Sequence, residues 1–359
     1  LSRQHAIDDH YFTPEDTAEA VDLVNRTHPD GCRGAFVVGS LSVGLGHAES
    51  DLDIVAVHDT AQLARQYVAN GRRLDLTTVP LAVWEARAAS MARYAVTRTD
   101  RSQGDLDRAE MTRIVRYAVA GRLPVGRTGE DAPAGPDRDV VAQVMIYRNA
   151  FVVAGLAEDA AGALAIGDPY TALLAARGAV EAGLDALLSA ERDLYIGPKF
   201  LLRRVARSRL LGPNLPAVWE LLHEPVPLDG LTGHAEAVVR RRLALAVALV
   251  GVATTRGWNG TGDIAELRLP GGAGTGPTQS PYHSLLRFTD GFVLAGPNTA
   301  YDLTDPMAHL WSLCTGAGAA DVHAEFTRVL DADVPEAELA GAVAALAELG
   351  VVELPRDAP

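Results

Sequence analysis

In the stretch VVGSLSVGLGHAESDLDIVAV, Val37 to Val57, two aspartates stand one residue apart at the head of an apolar run. Side chains on a strand alternate faces, so Asp51 and Asp53 point the same way while Leu52 and Ile54 face a core. Two carboxylates so close repel each other unless a cation neutralises them. Oxygen-only donors suit Mg²⁺, which takes one or two carboxylates together with substrate phosphates. Upstream, Gly39 and Ser40 close the apolar run AFVV. A glycine there lets the backbone approach a phosphate, and the start of a following helix supplies N–H donors. Downstream, Asp75 sits between Leu74 and Leu76 on a predicted neighbouring strand, where a third carboxylate completes a two-metal clamp.

These residues need elements to hold them. TPEDTAEAVDLVNRTH opens with a Thr-x-x-Asp cap pattern and has helical spacing, whereas GAFVVGS, LDIVAVH and RRLDLTTVP read as strands rich in branched residues. From Asp137 to Trp258 the spacing predicts helices, including DVVAQVMIYRNAFVVAGLAEDA, GPKFLLRRVAR and HAEAVVRRRLALAVALVGVATT. Another, DPYTALLAARGAVEAGLDALLSA, has Asp168 as N-cap, Pro169 at its first position and an apolar stripe of Leu173, Val180, Leu184 and Leu187. LPGGAGTGPTQS, Leu269 to Ser280, reads as a flexible linker. Beyond it come short strands (YHSLLRF, GFVLAG, AYDLT) and three helical stretches. The expected layout is a catalytic domain over 1–130, a helical domain over 137–258, a linker over 259–280 and a small domain over 281–356.

Composition narrows the function. With 48% hydrophobic and 22% charged residues the 359-residue chain is ordinary globular material. A net charge of −14 without a basic tract argues against a nucleic-acid backbone as partner. Cys32 and Cys314 stand alone, without a metal or disulfide framework. The opening LSRQHAIDDHYF has no apolar signal core, and the longest apolar run, Leu243 to Ala253, falls short of a membrane span. The expectation is a cytoplasmic protein with neither membrane nor nucleic acid as partner.

Gly39-Ser40, Asp51-x-Asp53 and a later Asp75 closely resemble the signature of the polymerase-β-like nucleotidyltransferase superfamily, over roughly residues 20–125. The spacing between Ser40 and Asp51 is usual for its antibiotic-modifying and minimal members. Many of those carry Ala-Arg-Gly soon after the Gly-Ser, where this chain has Ser42-Val43-Gly44. The resemblance implies an α/β (α+β) catalytic domain with a mixed sheet, followed by an all-helical domain like that of kanamycin- and lincosamide-type enzymes. It implies that Asp51, Asp53 and Asp75 hold two Mg²⁺ ions, that Gly39 and Ser40 grip the phosphates of ATP or another nucleoside triphosphate, and that Lys199 faces the triphosphate. Lys199 also reads as a solvated lysine at a helix start. Arg177, Glu181 and Asp185 form an i, i+4, i+8 stripe that reads as a solvated salt-bridge ladder. The alternative, drawn from some relatives, is that Glu181 helps deprotonate the acceptor. Arg148 is a further phosphate-binding candidate, while His47 and His58, flanking the motif, read as non-ligands.

Residues 281–354 look like the peptide-chaperone domain of pyrroloquinoline-quinone synthesis, a winged-helix-like α+β module that serves as leader-peptide recognition element in ribosomal peptide pathways. That resemblance implies a peptide that adds as an extra strand. The other reading is a plain winged-helix module for packing or dimerisation. The functional expectation is a Mg²⁺-dependent nucleotidyltransferase, moving AMP from ATP as first choice, onto a peptide or small-molecule acceptor. The alternatives are an aminoglycoside- or lincosamide-type antibiotic nucleotidyltransferase, and a non-catalytic peptide-binding protein with a degenerate catalytic domain.

Overall fold

The computed structural model describes residues 13–28, 30–60, 63–69, 71–126, 133–226, 231–270 and 275–355. The opening dodecapeptide thus lies outside the described residues. The chain divides into two compact units, one of residues 1–94, 106–141 and 193–197, the other of residues 95–105, 142–192 and 198–359.

The first unit is built on five strands: β1 (Cys32–Val38), β2 (Leu52–His58), β3 (Leu63–Ala69), β4 (Arg72–Pro80) and β5 (Gly121–Gly126). They form one sheet in the order β3-β4-β2-β1-β5, and only the β2/β4 pairing is parallel. The alternation in LDIVAVH and RRLDLTTVP explains why both faces are covered. Leu52, Ile54, Ala56, Leu74 and Leu76 join one core with Ala20, Leu23 and Val24 of α1 (Pro14–Thr27). That helix starts where the cap pattern predicts, with Thr13 and Asp16 bonded reciprocally. On the other face, Val55, Val57 and Val79 pack with Phe36 and with Trp84 of α2 (Leu81–Ser90) and Tyr117 of α3 (Arg108–Ala118). Trp84 stacks between Phe36 and Tyr117, its ring 4.6 and 4.5 Å from theirs. Its indole N–H donates to the Ala134 carbonyl, as a buried tryptophan requires.

α4 (Arg138–Ala165) begins among the residues of the first unit and continues in the second. It is the one helix among the described residues long and apolar enough to cross a membrane, and just over half of its most apolar stretch is buried. The second unit continues with α5 (Pro169–Ala190), α6 (Leu201–Arg207), α7 (Leu215–His223) and α8 (Leu231–Thr254). Asp168 caps α5 as expected, accepting from the amides of Tyr170 and Thr171. Gly183 brings α5 against α8: a Cβ there would stand 2.8 Å from the Cα of Ala246.

After these come β6 (Thr278–Gln279), β7 (Ser284–Phe288), β8 (Gly291–Gly296), β9 (Thr299–Leu303), α9 (Asp305–Leu313), α10 (Ala319–Leu330), α11 (Glu336–Glu348) and β10 (Val352–Glu353). β7, β8 and β9 form an antiparallel meander, and β10 pairs with β6. The segment expected as a linker is described only on either side of its centre. Residues 271–274 lie outside the described residues, but Ile264 and Leu267 before them are buried and Thr278–Gln279 after them form β6. The strands and helices beyond it share one unit with α8: Thr254 donates to the Leu285 carbonyl, Thr255 to Ser312, and Gln279 to the Trp311 carbonyl.

Candidate active site

Three adjacent strands bring the acidic residues together. Val38, last residue of β1, pairs with Asp53, and Asp75 on β4 stands opposite Asp53 across the parallel β2/β4 ladder. Asp51 lies just before β2. One carboxylate oxygen from each of Asp51, Asp53 and Asp75 lies within 4.8 Å of the others. The alternation leaves little choice of face: Leu52, Leu74 and their i+2 neighbours are taken by the α1 core, so the aspartates share the opposite face with Val55, Val57 and Val79.

Gly39 has φ +81°, and a Cβ there would meet Asp53 Oδ2 at 2.4 Å. Both conditions demand glycine. Ser40 then enters a single 3₁₀ turn, Leu41–Val43, whose amides its side chain does not cap. This turn stands where the start of a helix was expected. The Ser42 hydroxyl donates to the Gly39 carbonyl and the Leu45 amide to the Ser40 carbonyl, each at 2.9 Å, which fixes the turn.

The site is strongly anionic. Burial pushes the Asp53 carboxyl up to about 6; the positive charge of Arg116 opposes this, while Asp51 and Asp75 add to it. Asp75 Oδ1 is buried with no hydrogen-bond partner among the described residues. Such an oxygen is costly unless something satisfies it. Two arginines that the sequence pattern did not single out belong here. Arg73 donates to Asp51 Oδ2 and lies 3.4 Å from Asp75 Oδ2. Arg116, exposed on α3, lines a cavity of about 40 Å³ with Gly39, Thr112, Val119 and Tyr195.

The structure therefore gathers Gly39, Ser40, Asp51, Asp53 and Asp75 in the first unit. Glu181, Lys199 and Arg148 belong to the second. There Glu181 pairs with Arg177 at 3.3 Å. Asp185, expected to continue that exposed ladder, turns instead to Arg204, which is fully buried. Lys199 is exposed, its ammonium 4.8 Å from the Phe200 ring centroid, and Arg148 donates to the Gly104 carbonyl. Of the flanking histidines, His58 bonds the Asp30 carbonyl, and the backbone amide of His47 donates to Ser50. A groove of about 870 Å³ in the second unit is lined by Trp219, Leu221 and Leu245, and two of its lining charges, Glu224 and Arg241, pair with each other.

No protein-family model matches this chain, and no curated protein matches it. Among solved structures it is similar to a nucleotidyltransferase-like protein of Exiguobacterium sibiricum 255-15. The two are 13% identical, the match covers 66% of this chain and 78% of that one, and the TM-score is 0.32.

Proposed function

We propose that the chain is a metal-dependent nucleotidyltransferase of the polymerase-β-like type, transferring a nucleoside monophosphate, with AMP from ATP as first choice, to an acceptor nucleophile. The observation that carries this reading is the in-register facing of Asp53 and Asp75, with Asp51 and the Gly39 turn beside them. The donor set fits Mg²⁺: three carboxylates each bring an oxygen to one point, and Asp75 Oδ1 is buried with no hydrogen-bond partner among the described residues. Mg²⁺ held by these aspartates would neutralise charge on the phosphates and activate the attacking oxygen. Around it, Gly39 keeps side-chain bulk away from Asp53, and Ser40, whose hydroxyl is not spent on capping, offers a donor to a phosphate oxygen. Arg116 adds positive charge on the Gly39 side. The reading rests on the first unit alone.

For the acceptor we propose a peptide. Among the described residues β9 pairs only with β8, and Thr299, Ala300 and Asp302 are exposed, which supports addition of a further strand at this edge. The test is to incubate the full chain with Mg²⁺, labelled nucleoside triphosphates and precursor peptides encoded nearby. Pyrophosphate release and a nucleotidyl mass gain on a peptide are expected, both abolished by Asp53→Asn. Transfer to a small hydroxylated or amino compound alone would replace the peptide with the antibiotic-type acceptor. Absence of metal-dependent nucleotide binding would overturn the enzymatic reading.

A further inference from the structure

Arg73 has no part in the reaction just proposed, yet it is the group that the carboxylates hold. It stands two positions before Asp75 on β4, so both side chains leave the same face of the strand. Its guanidinium bonds Asp51 and lies 3.4 Å from Asp75, bridging two members of the triad. Just over half of its side chain, 53%, is exposed. The head group can therefore leave without opening a cavity in the core. The phosphate-side turn at Gly39 is near: β1, β2 and β4 are adjacent, which puts it about 10 Å from β4, two strand spacings away.

We propose that Arg73 is an exchangeable internal counter-ion, resting on Asp51 and Asp75 until a divalent cation takes those oxygens, then turning its guanidinium to the triphosphate. This rests on the nucleotidyltransferase reading. The Arg73 guanidinium sits on Asp51 and beside Asp75, where it repels a second positive charge and crowds the oxygens a metal would take, so it competes with any cation arriving alone. A triphosphate changes the balance. The planar fork of arginine matches phosphate oxygens as well as it matches a carboxylate, so the hydrogen bonds it gives up at Asp51 are remade on the nucleotide. Arg73 thereby makes metal and nucleotide bind cooperatively, each favouring the state that the other needs. A purely structural salt bridge would tie β4 to Asp51 without this coupling.

The test titrates Mn²⁺ into the full-length wild-type protein, Arg73→Gln and Arg73→Lys, by electron paramagnetic resonance, with and without α,β-methylene-ATP. Wild type should bind Mn²⁺ weakly alone and at least about fivefold more tightly with the nucleotide. Arg73→Gln should bind Mn²⁺ alone at least about fivefold more tightly than wild type and lose most of the nucleotide's enhancement. Arg73→Lys keeps the charge without the fork, so it should still compete with Mn²⁺ but show a smaller enhancement; it also serves as the comparison should the glutamine variant fold poorly. If both variants match wild type while Asp53→Asn abolishes Mn²⁺ binding, the role of Arg73 is overturned and the nucleotidyltransferase reading stands. If wild type binds no Mn²⁺ with or without nucleotide, both are overturned.

Discussion

Asp53 is where local electrostatics and chemistry meet. Its carboxyl is held at about 6 against an ordinary 3.8, so between these values the folded chain keeps a proton that the unfolded chain has released. The metal-free fold therefore has this contribution in full below about pH 4 and loses it as pH rises through about 6. The size of the shift corresponds to something on the order of 3 kcal/mol at neutral pH. In EDTA, Asp53→Asn should accordingly stabilise the protein at pH 7.5 by about that amount and have little effect at pH 4. Urea denaturation at the two pH values checks this, and a variant less stable than wild type at pH 7.5 would refute it. The same substitution should lower nucleotidyl transfer by about 10³-fold or more. Ser40→Ala should instead act on nucleotide affinity, raising KM by roughly tenfold for about 1–2 kcal/mol lost. An unchanged KM would make the Gly-Ser turn purely structural. Much of this site could be read from spacing, because period-two alternation and a glycine-serine turn are local signals. Arg73 obeyed the same period relative to Asp75 and could have been found that way. Arg116 could not, since it reaches the site from a helix that no spacing ties to the strands.

At the scale of elements, the close approach of α5 and α8 turns on one residue. Gly183→Val would drive side-chain atoms into the backbone of Ala246, and overpacking of this kind costs about 1–3 kcal/mol. Gly162→Ala on α4 is the contrast: a Cβ there meets nothing within 4 Å, so the gain in helix propensity should stabilise by up to about 1 kcal/mol. Thermal melts of both variants should move in opposite directions; a shared direction would refute the packing argument. Elements with a buried face were legible. The span of β2 and β4 follows from apolar alternation, and α1 and α5 from their caps. β3 and β5 were not legible, for a common reason. Both are edge strands. β3 reads LARQYVA, with Ala64, Arg65, Gln66 and Val68 exposed, and so has no clean apolar period. β5 carries Pro124, which an edge tolerates but a pattern search counts against a strand.

At the scale of the molecule, composition suggests three modules, and the chain packs as two compact units. Local sequence carries no mark that residues 95–105 belong with the later helices or that residues 193–197 belong with the sheet. The C-terminal strands and helices share the second unit with α4 and α8, where the Ser284 hydroxyl donates to the Ala150 carbonyl and Thr254 to the Leu285 carbonyl. A chain ending at Pro270 should therefore lose cooperative melting of the helical unit, because α8 would expose the surface that receives β7 and α9. Retention of a sharp second transition in calorimetry would refute this. The pairing of Asp53 with Asp75 also sets how the chain can vary in length. Extra residues at the β3–β4 turn, where Gly71 faces open space, leave the order Arg73-Leu74-Asp75 intact. One residue inserted between Leu74 and Asp75 would send the carboxylate toward the α1 core and a neighbour out in its place. Descendants of this sequence are thus free to lengthen on one side of Arg73 and bound to a fixed count on the other.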